Sequence, residues 1–137
     1  KDKMQNATKK QKRYIDLATR MADQSVYKLG KFRHGAILVK GGNVLNASYN
    51  KNSYCSFGNR FRNPKHGNAT LHAEIGTVLG LDRSVTRGST VYVVRLNKNK
   101  EYKLSKPCEM CCSVLKHCGV SKVFYSTNEE SLECMRL

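Results

Sequence analysis

The sequence contains no long hydrophobic run. Its longest uninterrupted apolar stretches are four residues, such as Ala36, Ile37, Leu38 and Val39, against the roughly 20 that a membrane-spanning helix requires. The basic N-terminus has no apolar segment behind it, which excludes a secretory signal there. The first residue is Lys1 rather than Met, so a targeting segment lying upstream stays open as a reading. Internal repeats and low-complexity tracts are missing too, so nothing indicates a repeat array. Acidic residues are scarce. Ten Asp and Glu face 25 Lys and Arg, a net charge of +15. A field of that sign attracts phosphate, although a solubility surface or a lysine-rich source composition accounts for the same count.

What is present bounds the answer further. The chain has 137 residues, 39% of them apolar, enough for one domain spanning residues 1–137 with a real core. Of the six cysteines, four crowd into residues 108–118: Cys108, Cys111, Cys112 and Cys118. Disulfide scaffolds spread their cysteines over a small chain, whereas clustering fits metal binding in a reducing compartment, the cytoplasm or nucleus.

Periodicity organises the rest. Residues 1–13 are polar and basic and are expected to fray. Ile15, Ala18, Met21, Ala22, Val26 and Leu29 recur at helical spacing and predict a helix over 14–29, stopped by Gly30. Residues 35–40 and 44–49 flank a Gly-rich link and predict a β-hairpin. Residues 50–68 read as a long loop, a length often tied to function. A helix is expected over 69–80, weakened by Gly76 by roughly 1 kcal/mol. A strand follows over 89–96, then a basic loop, a helix over 108–118 opened by Pro107, and a strand over 120–125. The tail 127–137 is expected to add a helical turn or two. A helix joining the last two strands implies a parallel pair. The order predicts an α/β fold, a three-layer α/β/α sandwich with a mixed sheet.

Two short segments carry chemistry: His72, Ala73 and Glu74 at the start of one helix, and Pro107, Cys108, Glu109, Met110 and Cys111 at the start of the next. Cys108 and Cys111 are three apart, so their sulfurs share a helix face, and a helix N-terminus favours thiolates. With His72 they make one nitrogen and two sulfur ligands. Zinc held by three protein ligands keeps a fourth position for a water that it acidifies. Glu74 need not bind metal and is positioned to move protons at that open position. Cys112 points to another helix face and reads as a small buried residue. Cys118 is expected to pack on the sheet, Cys134 to be an exposed thiol, and His117 to sit at a helix C-terminus. Cys55 and His66 are too few for a second zinc.

This arrangement resembles the His-x-Glu…Pro-Cys-x-x-Cys signature of the zinc-dependent nucleobase deaminases. The order of elements over residues 13–126 is similar to that of the cytidine deaminase-like superfamily. His72 as first ligand looks most like the tRNA adenosine, deoxycytidylate and nucleic-acid-editing cytosine deaminases. The resemblance implies one Zn2+ per chain and hydrolytic loss of an exocyclic amine. It also implies substrate contacts from Asn50 to the sugar, from backbone groups of Ala73 and Cys108 to the base, and from His34 and Gly35 beside the pocket. The sequence departs from the family in its longer 50–68 loop, in Lys106 before Pro107, and in ending soon after Tyr125.

Two basic stretches with aromatics are expected at the pocket rim. One holds Lys51, Tyr54, Phe57, Arg60, Phe61, Arg62 and Lys65. The other holds Arg95, Lys98, Lys100, Tyr102, Lys103 and Lys106. Such interleaving suits a single strand of DNA or RNA, or else a solvated loop whose aromatics anchor it. The leading expectation is therefore deamination of cytosine, with adenine second, within a single-stranded nucleic acid. A free-nucleotide deaminase such as a deoxycytidylate deaminase is the alternative, and a non-catalytic zinc-stabilised nucleic-acid-binding module is the third reading. No membrane partner is expected, and an oligomer is open.

Overall fold

A computed structural model describes residues 3–25, 32–66 and 70–137. Along the chain run α1 (Lys9–Gln24), β1 (Arg33–Lys40), β2 (Asn43–Tyr49), β3 (Lys51–Tyr54), α2 (Ser56–Asn59), β4 (Thr70–Leu71), α3 (Ala73–Gly76), α4 (Arg83–Thr86), β5 (Thr90–Leu96), β6 (Tyr102–Lys103), α5 (Glu109–His117), β7 (Lys122–Ser126) and β8 (Leu132–Arg136). The main sheet has the order β2-β1-β5-β7-β8, with β6 paired to the end of β5. Among the described strands only β5 and β7 run parallel, as the intervening helix α5 requires. The expected mixed sheet and three layers are present.

The alternation of β5 explains the layering. Val91 and Val93 face one core with Ala73, Ile75, Cys111, Val114 and Leu115 of α3 and α5. Tyr92, Val94 and Leu96 face the other with Tyr14, Ile15, Ala18 and Ala22 of α1. Two glycines set how closely helices approach the sheet. A Cβ on Gly35 of β1 would fall on the Ala18 carbonyl oxygen and the Ala22 backbone nitrogen, and one on Gly76 of α3 would strike the Ser48 side chain of β2. Gly35→Ala forces α1 off the sheet and is expected to cost about 1–3 kcal/mol or more. A urea midpoint equal to wild type would contradict this close approach.

Four expectations are corrected. Residues 3–13 are built into the fold rather than frayed. Thr8 closes a capping box with Gln11, Asn6 hydrogen-bonds both the N–H and the C=O of Leu132, and Met4 is buried. The helix expected over 69–80 shrinks to α3, because Thr70 is paired with Tyr54 and Leu71 with Lys51 in a two-stranded sheet. His72 then caps α3 in an extended conformation. The tail forms no helix but the edge strand β8, antiparallel to β7 from Ser126↔Leu132 to Lys122↔Arg136. Residues 50–68 are not a bare loop, since they carry β3, α2 and a 3-10 turn, Pro64–His66. The first helix closes at Gln24, with Ser25 as its cap, and the expected stop at Gly30 lies outside the described residues.

Candidate active site

The parallel β5–β7 unit and the short α3 aim two helix starts at one place. His72 is the N-cap of α3 and Cys108 the N-cap of α5, and neither side chain is spent on capping. Each is free for other work. His72 Nδ1 lies 3.2 Å from Cys111 Sγ and 3.7 Å from Cys108 Sγ. All three donor atoms fall within 4.8 Å of one another, the one such group among the described residues. Tetrahedral zinc bonds of about 2.0–2.3 Å place donors roughly 3.5–3.8 Å apart, so the set fits zinc in both spacing and chemistry. Cys111 donates to Cys108 and, with His72, pulls the Cys108 thiol down to about 3, while the same contact pushes Cys111 well above its usual range. One thiolate thus stands ready, and a divalent cation displaces the second proton. The hydrogen bond to Cys108 raises His72.

Glu74 is the second residue of α3 and only 5% exposed. Burial pushes its carboxyl up, against the opposing pull of His72. It shares with His72 and Cys108 the wall of a cavity of about 650 Å³. The same cavity is lined by His34, Asn50, Lys51, Arg95 and Lys106, so these expected rim residues do converge. Ala73 is fully buried and, like Gly35, is not on the cavity wall. Gly35 serves the packing of α1 instead.

Asn50 is fastened at the end of β2. Its Oδ1 accepts from the His34 N–H at 2.9 Å and from Ser25 Oγ at 2.7 Å, and its Nδ2 donates to the Phe32 carbonyl. Burial, and then the Arg95 charge, push His34 down to about 4, so its imidazole is neutral at working pH. The unfolded chain takes up this proton near 6.5 and the folded chain only near 4, so His34 costs stability increasingly as pH falls between those values. His34→Gln is expected to flatten that part of the stability–pH curve. Equal slopes for wild type and variant would mean that His34 is not held neutral.

The proposed strand contacts fare differently. Tyr102 is buried and its hydroxyl meets that of Thr19 at 2.8 Å, so it has no face for a base. Lys100 pairs with Asp23 at 3.9 Å. Lys98, Lys100 and Lys103 are not on the cavity wall. Arg60 stacks over Phe57 and Phe61, and those rings pack with His117 at the end of α5. Both phenylalanines are therefore anchors of the loop. Arg62 Nη1 reaches the Met110 sulfur at 3.9 Å, and Lys65 is exposed in the 3-10 turn. Cys112 is half-buried rather than buried, with its thiol near the Pro107 carbonyl. Cys118 packs on the core and Cys134 is exposed.

Sequence reasoning missed Ser25, Phe32 and Ser105 on the cavity wall. Ser105 donates to the Val93 carbonyl and accepts from the Ser126 N–H, tying the β6 segment to β5 and β7. A lone serine before Lys106 and Pro107 carries no periodic signal, and only the seriate polar contacts reveal it.

A family model for the cytidine and deoxycytidylate deaminase zinc-binding region matches residues 8–127. The chain belongs to this family. It is a zinc-dependent hydrolytic deaminase. Solved structures are similar in fold. The dCMP deaminase of cyanophage S-TIM5 in apo form has a TM-score of 0.57 at 22% identity, covering 85% of this chain and 81% of that one. The same deaminase in complex with dCMP and dUMP is 21% identical, with a TM-score of 0.57, over 85% of this chain and 80% of that one. Acinetobacter baumannii RibD matches at TM-score 0.57 and 19% identity over 87% of this chain but 28% of its own. No curated protein sequence matches this deaminase. None of its described helices is long and apolar enough to cross a membrane.

Proposed function

We propose that this deaminase hydrolyses the exocyclic amine of a cytosine base held in the 650 Å³ cavity, as a nucleotide or as part of a single strand. The observation that carries this is Glu74, a buried carboxyl that shares one cavity wall with His72 and Cys108 of the three-donor group. His72, Cys108 and Cys111 would hold the zinc, which would supply an acidified water as the nucleophile. Glu74 would carry the two protons of the attacking water in turn, the first to the ring nitrogen of the base and the second to the departing amine. The water oxygen becomes the new carbonyl oxygen and ammonia leaves. Burial keeps the Glu74 proton affinity high, as a group that both takes and gives a proton requires. Asn50 and neutral His34, which line the same cavity, orient the sugar and base.

The family's description favours cytosine over adenine. The free-nucleotide form is supported by the likeness to a dCMP deaminase fold. The strand form is supported by the net charge of +15 and by Lys51 and Lys106 on the cavity wall. The test is product mass after incubation with dCMP, single-stranded DNA, single-stranded RNA and a tRNA pool, with Glu74→Ala as control. Loss of NH with gain of O in one of them, absent in the variant, is expected. Conversion of adenine alone would overturn the choice of base, and no conversion with zinc bound would overturn the reading.

A further inference from the structure

Arg95 is a cation with no carboxylate partner among the described residues. It sits on β5 opposite His34 of β1, and its guanidinium lies 3.5 Å from the centre of the Phe32 ring. Nη1 donates to the Leu104 carbonyl at 3.2 Å. Stacking and this bond fix the plane of the group. Its remaining edge carries the parallel N–H groups of Nε and Nη2. Nε is buried and has no acceptor among the described residues. No carboxylate pairs with Arg95 among them either, and a buried donor left unpaired is costly. A preset fork of two donors fits an oxyanion with two oxygens, above all phosphate.

The surroundings agree in charge and in placement. Lys51 and Lys106 line the same cavity, whose wall carries one acid, Glu74, at the zinc end. The same cavity wall holds the zinc ligands His72 and Cys108 together with His34, Asn50 and Arg95, with His34 paired to Arg95 across β1 and β5 and bonded to Asn50. One cavity thus offers partners for the base, the sugar and the phosphate of a nucleotide.

We propose that the Nε–Nη2 edge of Arg95 is the anchor for the phosphate of the substrate nucleotide, making a phosphorylated sugar, and not a free nucleoside, the substrate class of this site. The proposal rests on the cytosine reading above for the orientation of the ligand. The phosphate is either the monoester of a free nucleotide or the diester of a strand, and both present two oxygens to the fork.

The test is equilibrium binding to zinc-loaded Glu74→Gln protein, which removes turnover. Ligand pairs differ only in phosphate: deoxycytidine against dCMP and deoxyadenosine against dAMP, with a short oligodeoxycytidylate added. Phosphate is expected to tighten binding about 10- to 100-fold, and Arg95→Gln to remove most of that gain. Arg95→Lys retains charge without the fork and recovers only part of it. The gain should also shrink with added salt. A gain for the monophosphates assigns the free nucleotide, and a gain for the oligonucleotide alone assigns the strand. Equal weakening of nucleoside and nucleotide by Arg95→Gln, or of neither, overturns the anchor. Melting temperature and zinc content of each variant separate loss of the fork from loss of the fold. Phosphate-dependent binding without deamination of any ligand by wild type would uphold the anchor and sink the cytosine reading alone.

Discussion

Glu74→Gln is expected to lower kcat by about 10²- to 10⁴-fold, the usual worth of a positioned general acid–base. The substitution keeps shape and hydrogen-bonding capacity but removes the ability to carry a proton. Glu74 is 5% exposed and its carboxyl is pushed up by burial, so a neutral amide is no harder to bury. Stability should therefore stay equal or rise. Zinc content should not change, because Glu74 is outside the group of His72, Cys108 and Cys111. Activity of the variant above a tenth of wild type, with zinc in place, would take proton transfer away from this residue.

Removal of zinc is expected to abolish activity and to loosen the fold at once. Cys111 is completely buried among Ile75, Val114 and Leu115, so the ligand set is part of the core and not an appendage. A metal bound to the folded state alone stabilises it by about 4 kcal/mol when present at 1,000 times its dissociation constant. In a domain of this size that corresponds to a melting point about 10 °C lower after chelation. Zinc should restore both properties. Cys111→Ser should lose the metal and reproduce the chelated state without chelator. An unchanged melting point in chelator would mean that the three donors close up on their own, with one thiolate bonded to a thiol, and that the metal adds nothing to the fold.

The site was more legible in the sequence than the frame around it. Histidine, glutamate and paired cysteines have few other uses at those spacings, and their placement at helix starts follows from Pro107 and from the extended His72. Local signals failed where distant partners decide. Thr70 and Leu71 look helical until β3 claims them. The tail has no strand pattern on its own, and β8 exists because β7 offers an open edge. Residues 3–7 look solvated, yet Asn6 finds Leu132 at the far end of the chain. Tyr102, between Glu101 and Lys103 in a lysine-rich stretch, carries the local signal of a surface aromatic. Its ring instead turns under α1 toward Thr19, which period-2 alternation across Tyr102 and Lys103 would have indicated.

Arg95, Leu104, Ser105 and Lys106 all belong to the excursion from β5 through β6 to α5, and all line the cavity. At its base Ser105 and Ser126 bond each other and the backbones of Val93 and Lys103. His72, Glu74, Cys108 and Cys111 lie outside that excursion. The excursion that brings Arg95 and Lys106 to the cavity and the segments that carry His72, Glu74, Cys108 and Cys111 are thus separate stretches of chain, while His34, Asn50 and Lys51 reach the same cavity from β1 to β3. Selection can rewrite the first, residue by residue or by insertion at its tip, while the second is inherited untouched.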